Sequence, residues 1–265
     1  MTTEDDPPSF RVLNPQGHAP IVLICDHASC RVPPRLKQLG LSEDELSRHI
    51  GWDPGTAAIC ERLSEALDAP AVLSGVSRLV IDCNRRPDDL TSICEVSDGT
   101  AVPGNRNLDE AERERRRQTY FWPYHAAIDN MLETVRQRGC VPALLSIHSF
   151  TPRLRINPAD RPWHIGVVWD RDDRLAAPLL RALRDEGDLV VGDNEPYSGR
   201  THSGFSIFAH GQDRGLPHAM IEVRQDLVSD AAGAAQWAVR LERCFRRMLA
   251  EAGLWQPAAR VQAAW

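Results

Sequence analysis

The segment PIVLICDHASCRVP, residues 20–33, sets the architecture of this chain. Its apolar run Ile21–Cys25 is continuous and rich in β-branched residues, which predicts a strand buried on both faces of a sheet. Asp26 and His27 follow at once, and open α/β sheets bind ligands beyond the carboxyl ends of such strands. The two side chains are therefore candidates for metal binding or acid/base chemistry. The alternative is a turn in which Asp26 is a cap and His27 a hydrogen-bonded loop residue.

The composition is that of a soluble globular protein and gives no sign of a nucleic-acid or membrane partner. Of the 265 residues, 42% are hydrophobic and 26% charged, and the net charge of −6 offers no electrostatic surface for nucleic acid. No apolar run is long enough to span a membrane, and the acidic N-terminus lacks the pattern of a signal peptide. The seven scattered cysteines form no CxxC pair, which indicates reduced thiols and a cytoplasmic location.

Segments typical of strands and helices alternate along the rest of the chain. Ser42 and Glu45 form a capping box at the start of the first helix, and Pro123 predicts a break within the longest one. Residues 88–107 and 151–161 are expected to be loops. The predicted strands are 71–74, 79–83, 143–147, 165–169, 189–191 and 218–223, and the predicted helices are 41–50, 55–67, 109–138, 174–186 and 229–249.

This alternation indicates a sheet with helices on both faces. We predict a three-layer α/β/α fold with a mostly parallel, mixed central sheet, as in phosphorylase-like and hydrolase-like proteins. Residues 1–16 are acidic and contain proline, and we expect a mobile arm there. Residues 17–265 contain no repeat and no clear linker, so we expect them to form a single domain.

Polar clusters follow several of the predicted strands, and the carboxyl ends of such strands meet at one crevice. Two histidines, a carboxylate and an open position make a catalytic zinc site. In such a site the metal lowers the pKa of its bound water to roughly 7 and polarises the substrate carbonyl. A further carboxylate serves as general base, and arginines hold a carboxylate of the substrate. The clusters are Asp26-His27, Asp82-Asn84-Arg85, His148-Ser149 and Glu222-Arg224.

Blocks of sequence between residues 17 and 250 resemble the N-formylglutamate amidohydrolase family, which is similar to the zinc carboxypeptidase and aspartoacylase group. The resemblance implies that His27 and His148 bind Zn²⁺ or another divalent metal and that Glu222 is the general base. The blocks are DHAS (26–29), HIGWDPGTA (49–57), SRLVIDCNRRPDD (77–89), SIHSFTP (146–152), DNEPYSG (193–199) and IEVRQDL (221–227).

The same resemblance implies the groups that bind substrate. Asn84 and Arg85 are expected to hold the substrate carboxylate, and Arg224 is an additional anion contact. Arg78 is expected to contact the anion and to stabilise the oxyanion. Tyr197 lies in a glycine-punctuated loop, which either closes over the substrate or is a mobile surface loop.

The third metal ligand departs from the peptidase pattern. That group often has a glutamate three residues after its first histidine, whereas this chain has Cys30. We expect Asp53, at a helix start, to be the ligand, with Asp26 and Cys30 as alternatives. Asp26 then orients His27. Asp82 is expected close by, although pairing with Arg78 or Arg85 would also explain a buried carboxylate there.

The implied reaction is hydrolysis of a linear amide. A metal-bound water, deprotonated by Glu222, would attack the formyl or acyl carbonyl of an N-acylated amino acid, and N-formylglutamate would give formate and glutamate. The expected partner is a small amide that carries a carboxylate, and the oligomeric state stays open. The alternatives are another zinc carboxypeptidase or deacylase, and a binding protein for small anions that has lost its metal.

Overall fold

A mixed sheet of seven strands forms the centre of the computed structural model, which describes residues 6–201 and 204–254. In chain order the strands are β1 Phe10–Leu13, β2 Ile21–Cys25, β3 Ala71–Ser74, β4 Val96–Ser97, β5 Thr100–Ala101, β6 Ala143–Phe150, β7 Ile165–Val168, β8 Val191–Asp193 and β9 His218–Arg224. The large sheet has the order β1-β3-β2-β6-β9-β7-β8, and β4 and β5 form a separate hairpin.

Four neighbouring strands at the centre of the sheet, β3, β2, β6 and β9, run parallel to one another. β1 is antiparallel to β3, and β7 is antiparallel to β9 but parallel to β8. The prediction of a mostly parallel, mixed sheet is confirmed. The carboxyl ends of β2, β6 and β9 consequently lie side by side at one edge of the sheet.

Helices cover both faces of the sheet. Side chains alternate along each strand, and those on both faces are apolar, so each face needs a layer of helices to bury it. Ile21, Leu23 and Cys25 belong to a core with α2, α5 and α7, whereas Val22 and Ile24 pack on the other face with α4 and α6. The three-layer prediction is therefore confirmed. The helices are α1 Glu43–Leu46, α2 Thr56–Ala66, α3 Glu110–Arg116, α4 Trp122–Gln137, α5 Ala176–Arg184, α6 Ser206–His210 and α7 Ala231–Glu251.

Local sequence signals place several helix ends. The capping box of Ser42 and Glu45 is present at α1, although the helix ends at Leu46 and is shorter than predicted. The long predicted helix is interrupted where Pro123 suggested, because a π-helical turn, Arg117–Phe121, separates α3 from α4. No helix in residues 6–201 or 204–254 has the length and apolarity needed to cross a bilayer.

The prediction of a mobile arm over residues 1–16 is wrong for the part that forms β1. Phe10–Leu13 pairs along its length with β3, and Phe10 packs against the apolar core beneath the sheet. The segment is short, but it is held by its backbone hydrogen bonds to β3 and by the contact of Phe10 with the core. Residues 1–5 and 255–265 lie outside the described part of the chain.

The prediction of a strand at residues 79–83 is also wrong. Leu79, Val80 and Ile81 are buried in a separate apolar cluster, but the backbone there forms turns. Side chains satisfy the carbonyls that a neighbouring strand would otherwise bind. Asn105 Nδ2 donates to the carbonyl of Leu79 over 2.8 Å, and Arg116 Nη1 donates to that of Val80 over 3.0 Å.

Candidate metal and substrate site

The carboxyl ends of β2, β6 and β9 open into a cavity of about 110 Å³, called the first cavity below. His27 follows β2, His148 lies in β6, Glu222 lies in β9, and Asp53 lies just before α2. All four side chains are buried and line the cavity. Positions separated by up to about two hundred residues in the chain thus meet at one place.

A donor set suitable for a divalent metal lies at the base of the first cavity. Asp53 Oδ2 is 3.3 Å from His27 Nδ1 and 2.8 Å from His148 Nδ1. One ligand atom from each of the three residues falls within 4.8 Å of the others. Two imidazole nitrogens and a carboxylate oxygen are the ligands of catalytic zinc sites of the His₂-carboxylate type.

The Nε2 atom of each histidine, on the side of the ring away from Asp53, faces a second carboxylate. His27 Nε2 lies 2.7 Å from Asp82 Oδ1, and His148 Nε2 lies 3.0 Å from Asp26 Oδ2. Asp26 was expected to orient His27, but its hydrogen bond is to His148, and Asp82 takes the place beside His27. A proton on Nε2 would be donated to the carboxylate and would leave the lone pair on Nδ1, facing Asp53. Metal-binding histidines in proteins are oriented in this way.

Asp26 is held rigidly by hydroxyl groups from distant segments. Its carboxylate accepts hydrogen bonds from Tyr124 (3.0 Å), Ser146 (3.2 Å) and Ser206 in addition to its contact with His148. Burial by itself would raise the pKa of Asp26, but the bond and charge of His148 and the bond from Ser206 lower the pKa to about 2. The carboxylate is therefore ionised and fixed in orientation.

Arg78 connects the two carboxylates on the other side of the site. Its guanidinium contacts Asp82 Oδ2 through Nη2 (2.7 Å) and Nε (3.1 Å), and Nη1 lies 3.4 Å from Asp53 Oδ1. The pairing of Asp82 with Arg78, expected as an alternative, is present together with the contact to His27. Arg78 also lines the first cavity, so part of its guanidinium is available to a ligand.

Glu222 is buried beside His148, and its Oε2 atom has no hydrogen-bond partner among the described residues. Burial raises the pKa of Glu222 to about 7. A buried carboxylate oxygen without a partner is costly unless something else occupies the cavity. A metal ion with a water molecule would supply the missing charge and hydrogen bond, so the residues present fit a metal site.

A sequence model of the N-formylglutamate amidohydrolase family matches residues 19–229. The chain belongs to the N-formylglutamate amidohydrolase family. It is accordingly a hydrolase that acts on amide C–N bonds. The expectation of family and reaction class from the sequence blocks is confirmed.

Two solved structures share the fold of this chain. A gene product from Agrobacterium tumefaciens has a TM-score of 0.89 and 34% identity, covering 94% of this chain and 98% of that one. An N-formylglutamate amidohydrolase from Ralstonia eutropha JMP134 shares the fold, with a TM-score of 0.63, 22% identity, and coverage of 92% and 97%. A search of curated proteins found no match.

Three further residues predicted for substrate binding line the first cavity of this amidohydrolase-family chain. Arg85 has no ion pair or side-chain hydrogen bond within residues 6–201 and 204–254, so its charge is available to a ligand. Asn84 Oδ1 accepts a hydrogen bond from the backbone of Ser206 (3.1 Å), which fixes its amide. Tyr197 accepts a hydrogen bond from Arg161 Nη1 (3.0 Å) at the cavity wall.

Two residues considered from the sequence do not belong to this group. Arg224 binds Asp226 through Nε (2.8 Å) and Nη2 (3.1 Å) and donates to the carbonyl of Pro162, so it is turned away from the first cavity. Cys30, considered as a third ligand, is outside the donor set that contains Asp53. The departure of Arg224 follows from a local partner, Asp226, that composition and spacing do not reveal.

Two other residues of the site, Ser149 and Gly204, were given no role of their own from the sequence. The backbone of Ser149 donates to Asp53 Oδ2 over 3.3 Å and helps to fix that carboxylate. Gly204 has φ +112°, and a Cβ there would lie 3.2 Å from Asn84 Oδ1. Glycine is favoured there because other residues rarely adopt this backbone angle, and the close approach to Asn84 leaves little room for a side chain. The position of Ser149 directly after His148 was the one available signal.

Proposed function

We propose that this chain is a divalent-metal-dependent amidohydrolase that cleaves the amide of an N-formyl or N-acyl amino acid. N-formylglutamate, which would give formate and glutamate, is the substrate that the family name suggests. The observation that carries the proposal is the convergence of His27, Asp53 and His148 beside the unpartnered carboxylate of Glu222. Zn²⁺ is the metal we propose, because the donor set is nitrogen and carboxylate.

The protein groups around the cavity suit amide hydrolysis. When bound to His27, Asp53 and His148, the metal would polarise the amide carbonyl and acidify a water molecule. Glu222 takes the proton as this water attacks the carbonyl carbon. The raised pKa of Glu222 lets it hold the proton and then deliver it to the nitrogen of the leaving amine. The C–N bond breaks, and the products are a carboxylic acid and an amino acid.

Two arginines have separate roles in this proposal. Arg78 is fixed by Asp82 and Asp53 and donates to the oxygen that gains negative charge. Arg85 has no partner in the described part of the chain and binds the substrate carboxylate, with Asn84 beside it. Asp26 and Asp82 act through the histidines, whose rings they orient.

The test is release of formate from N-formylglutamate by the zinc-loaded protein, compared with the same protein after removal of metal by a chelator. We expect turnover only with metal, restored when Zn²⁺ is added back. Turnover that is unchanged after complete removal of metal would contradict the proposed role of the donor set. A panel of N-acetyl and peptide amides separates a deformylase from a deacylase or a carboxypeptidase.

We also propose a cytoplasmic location, in line with the expectation from cysteine usage. All seven cysteines are free in the structure, and Cys25, Cys60, Cys83 and Cys244 are buried. Free thiols are typical of proteins in reducing compartments. Fractionation of cells that produce the protein, followed by immunodetection, tests this location.

A further inference from the structure

Ser206, the first residue of α6, forms hydrogen bonds with both halves of the proposed site. Its backbone N–H donates to Asn84 Oδ1 over 3.1 Å, and its hydroxyl donates to Asp26 Oδ1. Asn84 is a proposed substrate contact, whereas Asp26 binds the outer side of the proposed metal ligand His148. Ser206 is fully buried, so water does not compete for either bond. One residue therefore connects the substrate side of the site with the metal side.

The hydroxyl of Ser206 has one proton and two acceptors within reach. Besides Asp26 Oδ1, the carbonyl oxygen of Cys83 lies 3.2 Å from the hydroxyl oxygen. That carbonyl already has a donor, because His125 Nε2 lies 3.0 Å away and a carbonyl can only accept. The proton of Ser206 is therefore available to the ionised carboxylate of Asp26. Hydrogen bonds to charged groups are stronger than those to neutral ones.

Ser206 also decides which end of the Asn84 amide faces the substrate. Because a backbone N–H can only donate, the amide atom that it contacts is the acceptor Oδ1, and Nδ2 is left on the other side. Asn84 Nδ2 lies 3.5 Å from His148 Nε2, which directs its own proton to Asp26, so these two donors do not bind each other. The N–H groups of Asn84 are then available to a carboxylate.

The start of α6 holds Asn84 at its backbone as well as at its side chain. The N–H of Phe205 donates to the carbonyl oxygen of Asn84 over 3.0 Å, one residue before the contact made by Ser206. Asp26 Oδ1 accepts from Ser206, and Asp26 Oδ2 faces His148. A displacement of Asn84 would consequently shift Ser206 and loosen the carboxylate that orients His148.

We infer that Ser206 is a positioning residue that couples the substrate-binding amide of Asn84 to the metal ligand His148. This inference rests on the proposed function, which assigns a role to each end of the connection. A ligand on Asn84 fixes Ser206 from one side, and a metal ion on His148 fixes it, through Asp26, from the other. Substrate and metal should therefore each strengthen the binding of the other, by the same factor.

The test is a double-mutant cycle in which zinc affinity is measured by competition against a chromophoric chelator. Ser206→Ala removes the hydroxyl and keeps the backbone donor. It should weaken Zn²⁺ binding by about three- to tenfold, less than the 10- to 100-fold expected when the direct partner of a ligand is lost. Asn84→Ala should weaken zinc binding by about threefold in the wild type but not in the Ser206→Ala background. If the two effects multiply in the double variant, the inference is wrong.

Ser146→Ala is the matched control. Ser146 donates to Asp26 Oδ2 over 3.2 Å from β6, and no hydrogen bond joins it to Asn84 in residues 6–201 and 204–254. The change removes the same group from the same carboxylate, again at a buried serine, so its cost to folding should be similar. Combined with Asn84→Ala, its effect on zinc affinity should multiply. A coupling as large as that of Ser206 would remove Ser206 from the connection.

The reciprocal effect is measured on the substrate side. Titration calorimetry of the Glu222→Gln variant with N-formylglutamate, metal-free and zinc-loaded, gives the gain in affinity that the metal produces. Adding Ser206→Ala should reduce this gain by about threefold, whereas adding Ser146→Ala should leave it unchanged. An unchanged gain with Ser206→Ala would contradict the coupling.

Nitrogen-15 NMR of the metal-free protein distinguishes failure of this inference from failure of the proposed function. Ser206→Ala and Asn84→Ala should both shift the Nε2 resonance of His148, because each change loosens Asp26. If the protein neither binds Zn²⁺ nor hydrolyses N-formylglutamate but these shifts are present, the proposed function is wrong and the connection through Ser206 stands. If the resonance is the same in both variants and the wild type, the connection is wrong.

Discussion

His148 and Glu222 lie directly opposite each other on the neighbouring parallel strands β6 and β9. The register places a proposed metal ligand and a proposed general base side by side, without any loop between them. Sites on paired strands are held more accurately than sites on loops. Because the two side chains are adjacent but have different proposed roles, metal binding for His148 and proton transfer for Glu222, substitutions at the two positions should have different effects.

Glu222→Gln should keep the metal and lose turnover. The change removes the proton acceptor, so kcat should fall by about 10²- to 10⁴-fold. The metal content, measured by elemental analysis of the purified protein, should equal that of the wild type because Glu222 is not in the donor set. Loss of metal from this variant would instead assign Glu222 to the ligands.

His148→Ala should lose the metal. Removal of a ligand should weaken Zn²⁺ binding by at least about 100-fold, since loss of a group that only orients a ligand already costs 10- to 100-fold. The measurement is competition against a chromophoric chelator. His18→Ala is the control, because the imidazole of His18 is exposed and lies beside Asp68. Unchanged zinc affinity in His148→Ala would contradict the proposed site.

Asp26→Asn should weaken metal binding although Asp26 is not a proposed ligand. The amide no longer holds a proton on His148 Nε2, so zinc affinity should fall by about 10- to 100-fold. Tyr124→Phe removes only one of the hydrogen bonds to Asp26 and should lower the free energy of unfolding by about 1 kcal/mol. Zinc affinity that drops equally in both variants would indicate a general loss of structure.

Arg85→Gln should raise KM and leave zinc binding unchanged. Loss of a charged hydrogen-bond donor to a substrate carboxylate should raise KM by about 10- to 100-fold. The matched control is Arg86→Gln at the next residue, whose side chain is exposed and pairs with Asp88. Michaelis kinetics on N-formylglutamate measure the difference. An equal KM in both variants would remove Arg85 from the carboxylate site.

The free energy of unfolding should fall below neutral pH through His125. Burial and the neighbouring His210 lower the pKa of His125 to about 4 in the folded protein. An unfolded histidine takes up a proton near pH 6.5, so between these values the unfolded state binds more protons and stability decreases as pH drops. The slope from one such group is at most about 1.4 kcal/mol per pH unit.

His125→Gln isolates that contribution from those of other titrating groups. Denaturant unfolding at pH 7 and pH 5 should show a smaller loss of stability in the variant than in the wild type. An identical pH dependence in the variant and the wild type would show that the pKa of His125 is not lowered by folding.

The sequence predicted the sheet and the centre of the site for the same physical reason. Buried parallel strands are long apolar runs, and the polar residues that end them are conspicuous, as with His27 and His148. Leu79 to Cys83 looks the same as such a strand, but side chains of Asn105 and Arg116 satisfy its carbonyls, and a pattern of apolar residues cannot distinguish the two cases.

Side-chain partners were less predictable than strand positions. Arg224 has the type and spacing of an anion-binding residue, yet Asp226, two positions further on, takes its guanidinium. The hydroxyls around Asp26 come from Tyr124, Ser146 and Ser206, which only the folded chain brings together. Residues 88–107 and 151–161 were expected to be loops, and the hydrogen bonds from the backbone of Arg155 and Ile156 to Asp98, which join them, could not be seen without coordinates.

The strand β1 lies at the border of the sheet and covers the free backbone groups of β3. A version of the protein shortened to begin at Gly17 would uncover β3, and exposed strand borders of this kind promote pairing between molecules. Such a version should aggregate at concentrations where the full chain stays monodisperse in light scattering. The few residues ahead of the first buried strand therefore protect solubility as well as completing the sheet.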